Sequence, residues 1–518
     1  MVASPAAPAA RFDESAREGL RSAAQPAHAR LAGRLSANVV WNLGSDLAAR
    51  GASLWLAFFC ARVLTVPGFG LFAFAQAAGQ YAWLPGDAVL NSGYATREIA
   101  RARHDPRRTA WDFYGARVSA AVALTAVYVA AVLALPLPPE QRGVLLAASL
   151  FFVSYALFPD WAARGLQDFR ALAAGNLAVA AALVVSTSLV LRSHPSAPLA
   201  TALWASSFAA GALVLAPLLA RAFRLLPAHF APRGWLRHTR GSAAFSIGAA
   251  LAVAIGQAPT LLLGILCPAR EVGLFAAGFR LVSTGLGLLA VLWWPVFTVL
   301  STTVPSSPPF REVFRAFFTL MLGLSLPAAL ALAVFPGEIL RALFGPAYGE
   351  GAGVLGLLAW ALPLFAAVTV LEITLLATGG EVSRVRVHAL ALATLVGAML
   401  AVGQRHGALG AAAALLAGLA VALAGFAVAL RGTLKADWVA GPLTRILGAN
   451  LAVGAFWLVA RRAGMGPALV QAALGIIVYA TCAVALGLGP AGLWRSLRAD
   501  RPSPPPGSSS SLEGMDRC

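Results

Sequence analysis

A segment near the N-terminus carries polar side chains at helical spacing inside an otherwise apolar run. Asn38, Asn42, Asp46, Arg50 and Ser53 follow one another at intervals of four, four, four and three residues. These intervals place all five on one face of a helix. A guanidinium group beside amides can bind an anion through charge-assisted hydrogen bonds. The face therefore predicts a helix that turns its polar side towards a cavity, unless the Asp46–Arg50 pair only fastens the helix to its neighbours.

Three further apolar segments carry polar stripes of the same kind. Their candidate binding residues are Gln76 and Gln80 in one segment, Gln257 in the next and Arg280 in the third. A charge at the centre of a membrane helix costs ~2.5–3.5 kcal/mol on insertion scales, so such faces turn towards protein or a water-filled cavity. Because the neighbours of Arg280 in sequence offer no acid, a ligand is the more natural partner. We expect the four stripes to line one cavity.

The elements that position these residues are membrane helices. Of the 518 residues, 59% are hydrophobic and only 12% are charged, and the mean hydropathy is +0.76. A soluble domain is about a quarter charged. Continuous apolar runs rich in Ala and Leu recur from residue 37 to residue 488; each could cross a ~30 Å hydrocarbon core as a helix, and none alternates as barrel strands do. The sequence predicts an all-α polytopic membrane protein with about fourteen transmembrane helices.

The distribution of basic residues predicts the orientation. The net charge is +18, but the arginines cluster between hydrophobic runs, as orientation signals do, and not on a nucleic-acid-binding surface. With the N-terminus inside, the cytoplasmic loops receive Arg108, Arg117 and the arginines of the 221–240 loop. Arg461 and Arg462 are the exception on the opposite side. Since cytoplasmic loops are rich in Lys and Arg, we expect both termini to be cytoplasmic.

An internal repeat indicates two helical lobes. FGLFAFAQ at 69–76 and VGLFAAGF at 272–279 share Gly-Leu-Phe-Ala in register, at an offset of 203 residues. This offset corresponds to six spans, so the repeats are parallel and related by an axis along the membrane normal. The predicted domains are a disordered cytoplasmic N-terminus at 1–35, an N-lobe of helices 1–6 at 36–226, a C-lobe of helices 7–12 at 227–432, helices 13–14 at 433–490, and a disordered cytoplasmic tail at 491–518.

The segment FPDWAARGLQDFR closes one apolar run and leads into the next. Trp161 suits a membrane interface, and Asp160 precedes an arginine by four residues, the spacing of a local ion pair. Gly165 allows a tight turn. The pattern predicts a hinge at the inner membrane face, in which Asp160, Trp161, Gly165 and Gln167 serve the conformational change more than substrate contact.

This segment resembles a motif of bacterial oligosaccharide flippases: proline, acid, tryptophan, three residues, glycine, then an acid or amide and an aromatic residue. The family belongs to the multidrug/oligosaccharidyl-lipid/polysaccharide exporter superfamily. Segment 91–103 is similar to its first cytoplasmic loop, 271–283 to its eighth helix, and 343–360 to the loop and start of its tenth. In one departure, Gln167 stands where members often have an acid. The resemblance spans most of residues 36–430.

The resemblance implies a transporter, not an enzyme, with two six-helix lobes in a V and a cavity lined by the first, second, seventh and eighth helices. Those are the four striped helices. It implies alternating-access flipping of a polyprenyl-diphosphate-linked oligosaccharide across the bacterial cytoplasmic membrane, for lipopolysaccharide or other cell-surface polysaccharide biosynthesis. Membrane lipids would surround the protein, and polysaccharide polymerase or export machinery are candidate partners. In this assignment Arg50 and Arg280 hold the diphosphate, Asp46 neutralises Arg50 in the empty state, and Asn38, Asn42, Gln76, Gln80 and Gln257 contact sugar hydroxyls.

Three alternatives stay open: a multidrug or cation antiporter, a lipid II-type flippase of the same superfamily, and an integral-membrane glycosyltransferase or polymerase. A cation exporter should carry acids in its cavity. An enzyme should carry a long extramembrane loop with a motif such as Asp-x-Asp, and none occurs. The four cysteines show no metal-ligand spacing, and no cofactor is expected. Glu372 is either a proton- or ion-coupling site or a buried structural group.

Overall fold

The structure is a computed structural model that describes residues 41, 44–89, 92–101, 106–223 and 232–486. Within these residues every regular element is a helix, so the all-α prediction is confirmed there. Asn38 and Asn42 lie outside the described residues, as do the predicted terminal segments at 1–35 and 491–518.

The first half of the chain forms nine helices within the described residues. α8 continues into a π-helical turn at Thr187–Leu191, and short breaks separate α5, α6 and α7. The helices are α1 (44–63), α2 (Val66–Val89), α3 (Ser92–Arg101), α4 (Pro106–Ala134), α5 (Pro139–Ala148), α6 (Leu150–Leu157), α7 (Asp160–Gly165), α8 (Phe169–Ser186) and α9 (Ala197–Phe223).

The second half adds eleven helices, again counting only described residues. Short 3-10 turns at Ala290–Leu292 and Pro346–Gly351 and a π-helical turn at Met399–Gly403 join some of them. The helices are α10 (Pro232–Leu266), α11 (Ala269–Leu289), α12 (Trp293–Thr302), α13 (Pro308–Val334), α14 (Pro336–Leu343), α15 (Ala352–Leu358), α16 (Ala361–Ala377), α17 (Glu381–Ala398), α18 (Gln404–Ala429), α19 (Ala436–Arg462) and α20 (Ala468–Ala485).

Eleven helical stretches of the described chain are long and apolar enough to cross a membrane. One of them, Glu381–Ala429, has 49 residues. A straight helix of that length would extend ~74 Å, more than twice the thickness of a hydrocarbon core. It is broken at Gly407, in the first turn of α18, where φ is +52°, and α18 packs against α17. The protein is therefore an all-helical, multi-pass membrane protein, and the count of about fourteen spans stays a prediction.

Helix packing divides the molecule into two bundles that meet along α2. Helices α2–α9 pack among themselves, with α5, α6 and α8 all on α9. Helices α10–α18 do the same, with α17 on α18 and α16 on both α13 and α18. We call these groups the N-bundle and the C-bundle; α2 joins them by packing on α10 and α11, and α19 and α20 pack against α13. The division into an N-lobe at 36–226 and a C-lobe at 227–432 stays a prediction.

The Gly-Leu-Phe-Ala repeat lies where the two bundles touch backbone to backbone. A Cβ atom added at Gly70 would overlap the carbonyl oxygen of Ala269, and one added at Gly273 would overlap the carbonyl oxygen of Val66. The same offset of 203 residues relates the two contacts. Only a residue without a Cβ atom permits this approach. This contact leaves no gap between the two bundles next to the turns that precede α2 and α11. We call this part of the interface the closed end.

Arg62 also joins the bundles at the closed end. Its guanidinium donates to the carbonyl oxygens of Ala342 (2.6 Å) and Leu343 (3.2 Å), at the C-terminus of α14. The unpaired carbonyls and the dipole at that terminus attract a cation. Beside this contact the ring of Phe344 packs against that of Phe69, with centroids 6.2 Å apart. The closed end is therefore held by polar as well as apolar contacts between the bundles.

The exceptional arginine pair has a local explanation. Arg461, in the last turn of α19, donates to the carboxylate of Glu338 in α14 at 3.0 Å. Its guanidinium lies 4.9 Å from the ring centroid of Phe335. A helix C-terminus favours a cation in its last turn. These contacts hold Arg461 in place, and the side of the membrane on which it lies stays a prediction.

Candidate substrate-binding cavity

A cavity of about 400 Å³ lies between the N-bundle and the C-bundle. All four helices that carry the predicted polar stripes, α1, α2, α10 and α11, contribute to it, together with α6 and α9. The side chains that line it are Ser53, Gln76, Gln80, Trp83, Phe151, Tyr155, Trp204, Phe208, Val253 and Arg280.

Arg280 supplies the positive charge of this cavity. Its Nη2 donates to Oε1 of Gln76 at 3.1 Å, and its Nη1 donates to Oγ of Ser53 at 3.3 Å. Among the described residues, no carboxylate forms an ion pair with Arg280. Within the described part of the chain, its hydrogen-bond partners are therefore neutral groups. Since a guanidinium without an acidic partner is costly to remove from water, Arg280 is a candidate to bind an anion, and this role stays a prediction.

Gln80 and Gln257 meet across the bundle interface. Nε2 of Gln257 on α10 donates to Oε1 of Gln80 on α2 at 3.1 Å. Gln76 is the acceptor for Arg280, so the three predicted glutamines are already hydrogen-bonded inside the protein. Each amide still has further donor or acceptor capacity that a ligand can use. Their role in binding sugar hydroxyls stays a prediction.

Arg50 does not line the cavity in this state. Its Nε donates to Oδ2 of Asp46 at 2.8 Å, which forms the ion pair that the spacing suggests. A Cβ atom at Gly287 would overlap its Nη1, so Arg50 lies directly against α11. Gly287 follows Arg280 by seven residues, or ~10 Å along the helix. The two arginines thus share the α1–α11 interface, and only Arg280 reaches the cavity.

Aromatic rings form the N-bundle side of the cavity, a feature that the sequence analysis missed. They are Trp83 on α2, Phe151 and Tyr155 on α6, and Trp204 and Phe208 on α9; we call these five residues the aromatic wall. Phe151 stacks between Trp204 and Tyr155, with centroids 5.0 Å away on each side. Phe208 meets Phe151 edge-on at 5.6 Å. Such mutual packing makes the wall rigid before any ligand binds.

Arg117 is a buried cation behind this wall, and its prediction as a cytoplasmic loop residue is wrong. It lies in α4, inside the candidate span Thr109–Ala134, and is only 2% exposed. Its guanidinium lies 4.8 Å from the ring centroid of Tyr155 and 5.6 Å from that of Trp83, and its Nη1 donates to Ser92 at 3.0 Å. Ring faces replace water around the cation, which permits an arginine within a span.

The predicted hinge motif forms α7, which packs on α3 and does not reach the cavity. Trp161 is buried in the N-bundle, and Oγ1 of Thr96 donates to its carbonyl oxygen at 3.1 Å. A Cβ atom at Gly165 would lie 2.8 Å from Cβ of Ile99. The glycine therefore permits close packing of α7 on α3, and its prediction as the turn residue is wrong.

The turn lies two residues later, at Gln167, where φ is +58°. The N–H of Asp168 donates to the carbonyl of Ala163 at 2.9 Å and so ends α7. The Asp168 side chain then accepts from the N–H of Ala171 at 3.0 Å and caps α8. Two polar residues thus make the connection that the sequence analysis assigned to a glycine.

We expect Gly165→Val to destabilise the protein and Gln167→Gly to be tolerated. The valine overlaps α3, and overpacking of this kind costs ~1–3 kcal/mol. A non-glycine residue in a left-handed backbone conformation is strained by ~1 kcal/mol, and glycine at position 167 removes this strain. Thermal unfolding of the two purified variants checks this. An unchanged melting temperature for Gly165→Val would contradict the packing role.

Asp160 pairs with Arg164 at 3.3 Å, within α7. Its part in the hinge stays a prediction: Asp160→Ala should lower protein level or switching while substrate binding survives.

Glu372 is neutralised by a neighbouring arginine. Its Oε1 accepts from Nε of Arg384 at 2.6 Å, and its Oε2 lies 3.8 Å from Nε2 of His388. The guanidinium of Arg384 lies in turn against Gly248 of α10. A buried pair that ties α16 and α17 to α10 favours the structural interpretation of Glu372. Its role in ion coupling stays a prediction.

Solved structures of membrane transporters share this fold of two helical bundles around a cavity. The lipid II flippase MurJ in an inward closed conformation matches with a TM-score of 0.63 and 12% identity, over 86% of this chain and 98% of that one. A multidrug resistance MATE family transporter of the MOP superfamily, inward-facing, matches with a TM-score of 0.59 and 13% identity, over 76% and 98%. The Vibrio cholerae MATE transporter VcmN matches with a TM-score of 0.51 and 14% identity, over 79% and 99%.

The family follows from the sequence itself. The family model described as "Polysaccharide biosynthesis protein" matches residues 35–301, just over half of the chain. The chain belongs to this family, and the predicted resemblance is confirmed. Its family is therefore one of polysaccharide biosynthesis, and its fold is the one shared by the MurJ flippase and MATE transporter structures. Among curated proteins, none matches its sequence.

Proposed function

We propose that this chain flips a polyprenyl-diphosphate-linked oligosaccharide across the bacterial cytoplasmic membrane by alternating access. The observation that carries the proposal is Arg280, a cation in the interbundle cavity whose hydrogen-bond partners among the described residues are the neutral groups of Ser53 and Gln76. A diphosphate would supply the missing negative charge. The long polyprenyl tail would stay in lipid, and membrane lipids and the polysaccharide polymerase or export machinery are the proposed partners.

The cavity chemistry does not favour export of an organic cation. No carboxylate is among the side chains that line the described cavity, and Arg117 lies behind its aromatic wall. Both arginines would repel a cationic substrate. An anionic headgroup with hydroxyl-rich rings fits the same surface.

The test of this proposal is a flipping assay with purified protein in proteoliposomes. We expect a polyprenyl diphosphate carrying a neutral trisaccharide to cross faster than in protein-free vesicles, whereas a lipophilic cation should not. In cells, deletion of the gene should accumulate the lipid-linked glycan in the inner leaflet. Transport of the cation with none of the glycolipid would refute the assignment.

We infer further that both termini are cytoplasmic and that the closed end faces the outside. The arginine-rich connections near 101–108 and 221–240 support this orientation. Topology-reporter fusions after Arg108 and after Arg240 should both read cytoplasmic. A periplasmic reading at either position would reverse or break the proposed topology.

A further inference from the structure

The two sides of the cavity differ in chemistry. The C-bundle contributes Arg280 and Val253, whereas the N-bundle contributes the aromatic wall. Gln76 and Gln80 lie between them on α2, and Trp83 follows on the same helical face. A ligand that fits both sides must combine an anion with a flat, partly apolar body.

The aromatic wall and the groups around it favour some planar ligand groups over others. An organic cation is disfavoured, because Arg117 already lies 4.8 Å from the Tyr155 ring and 5.6 Å from the Trp83 ring. A purely apolar ring would leave the amides of Gln80 and Gln257 without a ligand partner. A pyranose ring satisfies both conditions, since its C–H faces stack on aromatic rings and its hydroxyl edge can hydrogen-bond to amides.

The spacing along α2 orders the two parts of the ligand. Gln76 contacts Arg280, and Trp83 lies seven residues further, or ~10 Å along the helix axis. A group bound at Arg280 is therefore separated from the aromatic wall by a length comparable to one or two sugar rings. This separation suits a diphosphate joined directly to a short glycan.

We propose that the aromatic wall is a sugar-stacking subsite, in which Trp204 and Phe208 hold the first pyranose rings while Arg280 holds the diphosphate. The inference rests on the proposed function and deepens it, because it assigns glycan recognition to the N-bundle and charge recognition to the C-bundle. It also makes the wall a determinant of glycan affinity that is independent of the lipid carrier.

The test compares two probes with the full-length protein in nanodiscs. One is a polyprenyl diphosphate carrying a neutral trisaccharide, and the other is the same polyprenyl diphosphate without sugars. Trp204→Leu should weaken binding of the glycolipid by about tenfold or more, because it removes the stacking surface. Binding of the bare lipid should stay within about twofold. Trp204→Phe keeps a ring and should retain most of the affinity.

Trp360→Leu is the matched control, since Trp360 is exposed and does not line the cavity. It should change neither affinity. Variants that are not monodisperse and folded like the wild type are replaced by Phe208→Leu, which tests the same wall and leaves the rings around Arg117 in place. Equal weakening of both probes by the wall variants, or no weakening of either, overturns the sugar-stacking subsite. Failure of the wild type to bind either probe overturns the proposed function instead.

Discussion

Replacing Arg280 with alanine is expected to abolish glycan export while the protein stays folded. Arg280 is the only cation among the side chains that line the described cavity. Hydrogen bonds to a charged group contribute ~1.5–3 kcal/mol each, so loss of two such bonds to a diphosphate slows transport by about a hundredfold or more. The described residues give Arg280 no carboxylate partner, so its removal leaves no uncompensated acid.

Two conservative variants separate charge from geometry. Arg280→Gln removes the charge and keeps a polar, uncharged side chain, so it should fail in export while the protein stays folded. Arg280→Lys keeps a point charge and loses the planar fork, so partial export should remain. Asp46→Ala should impair export less than Arg280→Ala, because Asp46 pairs with Arg50 outside the cavity.

The control on the same helix is Arg270→Ala. Arg270 forms an exposed pair with Glu350, away from the cavity, and such pairs contribute ~0–1 kcal/mol. Export is measured in cells that contain each variant at matched membrane levels, and the melting temperature is measured on purified protein. Full export by Arg280→Ala would remove Arg280 from the anion site and leave it a structural residue.

The polar half of the cavity could be predicted from the sequence, and the aromatic half could not. Gln76, Gln80 and Arg280 stand out because polar residues inside membrane spans are rare and their spacing defines a face. Phe151 and Trp204 come from two other spans in which an apolar residue is equally suited to lipid or to a cavity. Only the three-dimensional packing of α6 and α9 on α2 distinguishes these environments.

The position of Trp83 in the sequence could have predicted that it lines the cavity. It lies three residues after Gln80 and therefore on the striped face of α2. Arg117 was misplaced for a different reason: the sequence does not reveal that Trp83 and Tyr155 supply ring faces for its guanidinium. Likewise, the residues next to Gly165 in sequence do not show whether it packs on α3 or forms a turn. The contact that requires a glycine there is with Ile99, which lies in another helix.

The short Gly-Leu-Phe-Ala repeat predicted one feature of the fold and missed another. Sequence alone indicated that Gly70 and Gly273 are equivalent, and thus that two halves are related by parallel symmetry. It did not indicate that each glycine touches the other half. The structure places both at the closed end, against the backbone of Ala269 and Val66. In an alternating-access cycle these contacts must form when the end closes and separate when it opens.

Gly70→Ala is therefore expected to shift the protein away from the state with the closed end shut and to block transport. The new methyl group overlaps a carbonyl oxygen of the backbone, which cannot turn aside as a side chain can. Overpacking costs ~1–3 kcal/mol, and 1.4 kcal/mol changes a conformational equilibrium about tenfold. Gly273→Ala meets the symmetry-related contact with Val66 and should have the same effect.

Cys60, buried near the end of α1, reports on this shift. In a variant that keeps Cys60 as its sole cysteine, maleimide labelling should rise by about tenfold with either alanine, because separation of the bundles exposes the thiol. Gly397→Ala on α17 is the control, since no heavy atom lies within 4 Å of the added Cβ position. Its labelling and transport should match those of the single-cysteine protein that keeps all its glycines. If both repeat variants transport normally with Cys60 still unreactive, the glycine contact is not the gate that closes this end.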